Sequence, residues 1–267
     1  MSPVEPGAPR TAIGPEITDV AGEPTEETQL RRLVSRYHWA ASYCDGKDVL
    51  EAACGTGQGL GLLRKRSSRV IGCDLSQENL GTARRGNGGS QPLVRADAQL
   101  LPFADSSLDA VIMLEAIYFL PSAHSFISEV RRVLRPGGWC ILSSINKDCI
   151  DFNPHHSLYR ELYGTCEIAA LLRHHGFAPE GFGIIPLNQP SVRTKTFAPI
   201  KKLAISLNLI PEGKRARLLL KRIVFGPLQR MPHDISSLPA PDEKPVPLSL
   251  DVPDLIHQVI LCAGRRG

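Results

Sequence analysis

The feature that most constrains the fold is residues 49–59, where an apolar run passes directly into a loop with glycines at positions 55, 57 and 59. Glycine has no Cβ, so this loop can turn sharply and bring its backbone close to a ligand. In an open parallel sheet such a turn lies in the crevice at the carboxyl ends of the strands. Residues 53–59, called the glycine loop below, therefore predict a ligand site on an α/β sheet. A tight strand–helix turn without a ligand is the alternative.

Short apolar runs alternate with segments of helical periodicity around this loop. Runs without polar alternation are typical of strands buried on both faces, and their alternation with helices implies a parallel sheet with right-handed crossovers. The predicted strands are residues 48–53, 69–73, 92–95, 110–114, 139–143, 182–186 and 255–263. The predicted helices are residues 26–43, 59–65, 77–85, 122–134 and 165–175, with Pro136-Gly137-Gly138 stopping the fourth. The fold class is therefore α/β, a doubly wound sheet of seven strands preceded by an N-terminal helix.

Two carboxylates end the strands that follow the glycine loop. Asp74 closes the second strand, where an acceptor-only side chain suits the two hydroxyls of a ribose. A helix N-cap, made by Asp74 or Ser76, is the alternative. Asp97 ends the third strand, where a carboxylate can accept a hydrogen bond from an adenine amine, although an aspartate there is often only a cap. The pattern predicts a nucleoside site.

These motifs form an ordered set with Leu101-Pro102-Phe103 and with the RRVLRPGG segment at residues 131–138. The set resembles the class I S-adenosylmethionine-dependent methyltransferases, in their small-molecule, type 11-like branch. The resemblance is close over residues 47–145 and weaker as far as Phe177. It implies a Rossmann-like mixed sheet with an antiparallel last strand, S-adenosylmethionine as cofactor, and methyl transfer as the reaction. The family usually has glycine where this chain has Ala53.

The resemblance also implies a role for each matching residue. Glu51 and the glycine loop would face the methionine part of the cofactor, and Asp74 would hold the ribose. Leu75 would lie against the adenine, whose edge Asp97 and Ala98 would contact. Glu115 would lie near the amino acid end and the transferred methyl. The expected cofactor-binding residues are Glu51, Ala53, Gly55, Gly57, Asp74, Leu75, Asp97, Ala98 and Glu115.

The acceptor site is less constrained. Aligning an acceptor with an activated methyl supplies most of the acceleration, up to ~7–11 kcal/mol, and a base is needed if the acceptor is a hydroxyl. The catalytic candidates are Glu115, Tyr118 and His156, with His155, Tyr159 and Tyr163 as further polar groups after strands four and five. The histidine pair has a surface turn as its alternative. Residues 146–164 and the helix segment 36–39 are expected to wall the acceptor pocket.

Charge is distributed unevenly. Residues 193–230 contain ten Lys or Arg against one acid, Glu212, whereas the whole chain has a net charge of +4. A helix predicted over 214–225 could lie on an anionic membrane or simply cover the pocket. We expect a small-molecule, glycan or lipid-linked acceptor, with anionic ones included, and methylation at oxygen. Nucleic acid is not expected, because few aromatic residues interleave the cations.

The remaining sequence features predict the domain organisation and the cellular location. Residues 1–25, with five prolines, are expected to be disordered. The core is expected over residues 26–186, a basic insertion over 187–254, and the last strand over 255–267. Seven scattered cysteines with no CxxC pair favour reduced thiols in the cytoplasm and no metal site, with peripheral membrane contact through residues 193–230 as an option. There is no apolar run of transmembrane length and no secretory signal pattern.

Two other functions stay open at this level. A nicotinamide-dependent oxidoreductase would share the sheet and Asp74, but it requires a GxGxxG spacing that Leu60 breaks. A non-catalytic partner protein would bind S-adenosylmethionine and release no S-adenosylhomocysteine with any acceptor.

Overall fold

A computed structural model describes residues 20–86, 88–89, 91–150, 159–186 and 227–267. The strands are β1 (Pro24–Thr25), β2 (Asp48–Ala52), β3 (Arg69–Asp74), β4 (Leu93–Arg95), β5 (Leu108–Leu114), β6 (Leu134–Ile145), β7 (Phe177–Pro186), β8 (Gln229–Arg230), β9 (Val246–Leu248) and β10 (His257–Arg266). The helices are α1 (Glu27–Ala41), α2 (Leu60–Arg64), α3 (Gln77–Gly86), α4 (Ala123–Val133) and α5 (Thr165–His174), with a short 3-10 helix at Ile117–Phe119.

The main sheet has eight strands in the order β4-β3-β2-β5-β6-β10-β7-β9. Strands β2 to β6 are parallel, whereas β10 runs antiparallel to both of its neighbours, β6 and β7. The chain winds outward from β2 through β3 to β4 and then returns to place β5 on the other side of β2. The carboxyl ends of β2 and β5 therefore flank the topological switch point, which is where ligands bind in sheets of this type.

Both faces of the sheet are covered, as predicted for a doubly wound fold. Alternate residues of β5 point to opposite faces: Val111 and Met113 pack with α4 and α5, and Ala110 and Ile112 pack with α1 and α2. All four side chains are fully buried. The unbroken apolar runs seen in the sequence result from this burial on two sides.

The structure corrects the predicted elements in three places. The main sheet has eight strands, not seven, because β9 forms an edge strand inside the segment expected to be an insertion. Strand β7 begins at Phe177 rather than at residue 182, since Pro179 and the glycines interrupt its apolar pattern. Helix α4 ends at Val133, before the Pro-Gly-Gly turn, because Leu134 already pairs with Leu108 of β5.

The segment before α1 and the segment before β9 meet in a small second sheet. Strand β1, at the end of the segment expected to be disordered, pairs antiparallel with β8. Residues 1–19, the predicted helix over 214–225 and nearly all of the basic stretch lie outside the described residues. In the part of the chain that the structure describes, no helix is long and apolar enough to cross a bilayer.

Candidate functional site

The glycine loop lies at the carboxyl end of β2. Its backbone takes positive φ angles at Ala53, Gly55 and Gly57, of 57°, 56° and 75°. A Cβ built on Gly55 would meet no atom within 4 Å, so open space lies against the loop at this residue. Ala53 adopts a conformation that favours glycine, which fits its place at a position where glycine is usual. The loop therefore has the shape of a cradle rather than that of a packed turn.

Asp74 fastens this loop to the next strand. Its Oδ2 accepts a hydrogen bond from the Gly55 amide at 2.9 Å, and its Oδ1 accepts one from the Ser76 amide at 2.8 Å. The side chain is buried, with 8% exposed. Ser76 Oγ accepts from the Asn79 amide at 3.2 Å, so Ser76 is the N-cap of α3. Asp74 thus holds the turns after β2 and β3 together, and a carboxylate oxygen can accept more than one hydrogen bond.

The adenine-side residues lie at the same edge of the sheet. Asp74 pairs with Arg95 in the β3–β4 ladder, and Asp97 follows two residues later. Asp97 Oδ1 accepts from the Gln99 amide at 2.8 Å, which makes Asp97 the cap of a turn. Ala98 is buried, and Leu75 is half-buried. The three strand tips that the sequence predicted to converge therefore do converge.

Glu51 is a buried carboxyl group beneath the loop. It is 1% exposed, and its Oε1 accepts a hydrogen bond from the Tyr37 hydroxyl of α1. Within the described part of the chain, its Oε2 is buried and has no hydrogen-bond partner. Burial raises the pKa of Glu51 to about 8; the Tyr37 hydrogen bond opposes this rise and the Asp74 charge adds to it. A cation arriving at this carboxyl would find an acceptor that is not yet satisfied.

The third glycine of the loop makes room for Tyr37. A Cβ on Gly59 would lie 1.8 Å from Cε1 of the Tyr37 ring, so only glycine lets α1 approach this closely. Tyr37 was expected in the wall of the acceptor pocket, and its bond to Glu51 was not predicted. The available signal was a phenol hydroxyl on the helix predicted to cover the site.

The other residues of the predicted wall, Arg36, His38 and Trp39, lie in different surroundings. Arg36 is buried, and its charge acts on both Tyr37 and Tyr118, although burial keeps the pKa of each tyrosine well above its usual value. His38 bonds to the Leu238 carbonyl at 3.0 Å. Trp39 packs edge-on against Phe182, with ring centroids 6.0 Å apart, and so belongs to the core rather than to a pocket wall.

Glu115 follows β5, the strand beside β2. Its φ is 55°, a left-handed conformation that non-glycine residues rarely adopt. Its carboxylate accepts from Ser143 Oγ at 2.9 Å and from Tyr118 Oη at 3.1 Å, one bond to each oxygen. The Glu115 amide donates to the Ser143 carbonyl at 3.0 Å. The unusual backbone and the two hydroxyl donors fix this carboxylate at the switch point. The role of Ser143 was not predicted, because no local pattern marks it.

A clasp, formed by residues 20–25 and 229–238, covers the outer side of the glycine loop. The Ala21 amide donates to Thr56 Oγ1 at 3.1 Å, and the Ile235 amide donates to the Gln58 carbonyl at 3.0 Å. A Cβ on Gly61 would lie 2.5 Å from Asp234 Oδ1, so α2 also depends on a missing side chain to accept the clasp. The segments before and after the core therefore both take part in the site.

The predicted site residues that the structure describes gather as one group. Glu51, Ala53, Gly55, Gly57, Asp74, Leu75, Asp97, Ala98 and Glu115 follow or end neighbouring parallel strands, and Tyr118 contacts Glu115. His156 and His155 lie outside the described residues. A doubly wound sheet with an open glycine cradle and acidic side chains at adjoining strand tips defines the class of Rossmann-like enzymes that bind a nucleoside cofactor.

Comparison with known proteins defines the family more closely. A family model described as a methyltransferase domain matches residues 50–142. A "probable S-adenosylmethionine-dependent methyltransferase" of Mycolicibacterium smegmatis is 34% identical over 189 residues, covering 65% of this chain and 70% of the relative. The chain belongs to the S-adenosylmethionine-dependent methyltransferases. It is an enzyme that takes its methyl group from S-adenosylmethionine, so the oxidoreductase and the non-catalytic alternatives are set aside.

Two further relatives match a shorter part of the chain. A fatty-acid O-methyltransferase of Mycolicibacterium smegmatis is 39% identical over 43% of this chain and 44% of its own length. A phthiotriol/phenolphthiotriol dimycocerosates methyltransferase of Mycobacterium ulcerans is 36% identical over 48% of this chain and 47% of its own. The chain therefore spans less than half the length of each of these two relatives.

Solved structures support the fold. A SAM-dependent methyltransferase from Thermotoga maritima superposes with a TM-score of 0.57 at 15% identity, covering 90% of this chain and 92% of that one. One from Archaeoglobus fulgidus gives a TM-score of 0.55 at 17% identity, covering 88% and 94%. At these identities the likeness concerns the architecture alone.

The side chains present fit the cofactor. The open space at Gly55 can admit a ligand, Asp74 offers an acceptor for ribose hydroxyls, and the unsatisfied Glu51 oxygen suits a positively charged group. The bound sulfonium supplies an activated methyl. The chain's own tasks are to orient the donor and to place an acceptor opposite the methyl.

Asp74→Ala should weaken S-adenosylmethionine binding by ~1–3 kcal/mol, or roughly 5- to 150-fold, because a charged acceptor is lost and the Gly55 amide loses its partner. Isothermal titration calorimetry measures the effect. Glu78→Ala is the matched control, since it removes an exposed carboxylate from α3 nearby and should leave affinity unchanged. Equal affinity in the Asp74 variant would remove that residue from the site.

Cofactor affinity should rise between pH 6 and 8, by at most about tenfold per unit. The raised pKa of Glu51 means that the apoprotein carboxyl holds a proton, which a cationic ligand displaces. The same pKa lowers apoprotein stability as pH rises from 4.5 to about 8, because the unfolded chain has already lost this proton. Calorimetry across this range, in buffers of different ionisation enthalpy, counts the proton released. Glu51→Gln should abolish the slope; a slope that persists in this variant would assign it to another group.

Proposed function

We propose that this methyltransferase transfers its methyl group to a hydroxyl oxygen on an acceptor that carries an apolar chain, such as a long-chain alcohol or a lipid phenol. The observation that carries the proposal is the aromatic cluster of Tyr118, Phe119 and Tyr159 packed beside the Glu115 carboxylate. The proposal has three supports: the apolar wall, the fixed carboxylate, and the chemistry of the relatives.

Phe119 and Tyr159 are half-buried and would offer an apolar surface beside Glu115, while Tyr118 is buried behind them. Ring centroids lie 4.6 Å apart for Tyr118 and Phe119 and 5.3 Å apart for Tyr118 and Tyr159. Burial, with the Glu115 charge adding, raises the pKa of both tyrosines, so their phenols stay neutral. Small-molecule sites combine such apolar walls with a few polar groups that fix orientation. An alkyl or aryl chain suits this wall better than a sugar does.

Glu115 is the polar group placed to act on the acceptor oxygen. Methylation of a hydroxyl releases a proton, and a carboxylate within hydrogen-bond reach can take it. Ser143 and Tyr118 each donate to one Glu115 oxygen, which holds the carboxylate in one orientation. A neighbouring carboxylate repels an anionic acceptor, so a neutral hydroxyl is favoured over a fatty-acid carboxylate.

The relatives agree with a lipid-type acceptor. One is named for methylation of a fatty acid at oxygen, and others are named for phthiotriol and phenolphthiotriol dimycocerosates. Because the matched regions cover less than half of these proteins, their acceptors support only the chemical class proposed for this chain.

A matched panel of acceptors tests the proposal. A long-chain alcohol, acid and amine of equal length, together with a phosphorylated sugar, are incubated with enzyme and S-adenosylmethionine, and the methylated product is identified by mass spectrometry. The alcohol should give the O-methyl ether at the highest kcat/KM. Glu115→Gln should lower kcat for the alcohol by ~10²–10⁴-fold, whereas the exposed control Glu78→Gln should leave kcat unchanged. Exclusive N-methylation, or turnover of the sugar alone, would contradict the proposal.

The basic stretch over residues 193–230 fits the same function. Its ten cations against one acid would draw the enzyme to an anionic lipid surface, where an apolar acceptor is found. A cover over the pocket is the other role for this segment. The stretch lies almost wholly outside the described residues, so its support comes from the sequence.

Sedimentation with liposomes separates these two roles. The protein should pellet with phosphatidylserine-containing vesicles at low salt, not with neutral vesicles, and should be released as salt is raised. Lys214→Glu with Arg217→Glu should weaken binding about tenfold or more. Arg84→Glu with Arg85→Glu on α3 is the control of equal charge change. Absence of binding at low salt would leave only the covering role.

A further inference from the structure

Three histidines meet on the surface where α4 and α5 pack, away from the strand tips. His124 is the second residue of α4, whereas His174 ends α5 and His175 is its C-cap. His124 and His174 are exposed, and His175 is half-buried. One ring nitrogen from each lies within 4.8 Å of the others. We infer that these three imidazoles, called the histidine cluster, form a binding site for a divalent transition-metal ion, with zinc as the expected one.

The spacing is that of metal ligands. Nitrogens bound at about 2.0–2.1 Å to a tetrahedral zinc lie about 3.3 Å from one another. His124 Nδ1 and His175 Nε2 are 3.1 Å apart, and the ring centroids within the cluster are 5.1–5.5 Å apart. The ligand nitrogen of His174 lies within 4.8 Å of the other two. Imidazole is a ligand that zinc, copper and nickel share, whereas magnesium and calcium prefer oxygen.

Other contacts hold in place the two helices that carry the histidine cluster. The Arg131 guanidinium of α4 donates to the Gly176 carbonyl at 3.2 Å and so holds the end of α5 against α4. Both helices pack on one face of the sheet through side chains such as Phe126 and Leu172. A metal ion would join the two helices at the surface, with water completing its coordination. Spacing along the chain gave no hint of this, because about fifty residues separate His124 from the other two.

Zinc titration of the full-length, chelator-treated protein tests the inference. One zinc ion should bind per chain and raise Tm, since a ligand that binds only the folded state stabilises it; magnesium should do neither. His124→Ala, His174→Ala and His175→Ala should each weaken zinc binding about tenfold or more. Retained S-adenosylhomocysteine binding shows that each variant is folded.

Cys166→Ser is the control, because Cys166 is half-buried on α5 while the other six cysteines are buried. This variant should bind zinc as the parent does. Failure of zinc to bind, or binding by all three histidine variants as tight as that of the parent, would overturn the site. Loss of binding in the Cys166 variant alone would assign the zinc to the thiol and would equally overturn it.

Discussion

The site depends on the hydrogen bonds that the Asp74 carboxylate accepts. It accepts hydrogen bonds from the Gly55 and Ser76 amides, so one side chain fixes the turns that leave two adjacent strands. Without it, the Gly55 amide would lose its acceptor, although the hydrogen bond from the Cys54 amide to the Cys73 carbonyl would still join the loop to β3. Charge-assisted bonds of this type are shorter and stronger than neutral ones, which suits a loop that must hold its shape before a ligand arrives. The glycine loop is thus held in shape by the residue that is predicted to bind the ribose.

The second organising element is the cover over this cradle. Tyr37 reaches Glu51 from α1. The clasp, whose two segments precede α1 and β9, contacts Thr56 and Gln58. Glycines at positions 59 and 61 allow both approaches by leaving out a side chain. One glycine of the cofactor motif, Gly59, and one in α2, Gly61, therefore serve the packing of the cover, whereas Gly55 faces open space. The glycine loop and the start of α2 therefore combine the open space at Gly55 with the contacts that hold the cover.

The sequence predicted the features that local patterns determine. It missed the features that depend on contacts between residues far apart in the chain. The parallel strands, the helices between them and the convergence of Gly55, Asp74 and Asp97 all follow from local patterns plus the rules of doubly wound sheets, and the structure confirms them. Strands β1, β8 and β9 were missed because they are short, exposed pairings with no periodic signal. The Tyr37–Glu51 bond, the Ser143–Glu115 bond and the histidine cluster were missed because each joins residues that only the tertiary fold brings together. Trp39 was placed in a pocket wall for the same reason: its neighbour Phe182 lies far along the chain.

The central claim is that one adenosyl sulfonium is held by three neighbouring strand tips at once. A crystal structure of the enzyme with S-adenosylhomocysteine tests it most directly. We predict ribose hydroxyls on Asp74, the adenine between Leu75 and Ala98 near Asp97, and the amino acid end over the glycine loop close to Glu51. A ligand seated in a different cavity, with Asp74 still engaged only with Gly55, Ser76 and Asn79, would contradict the account.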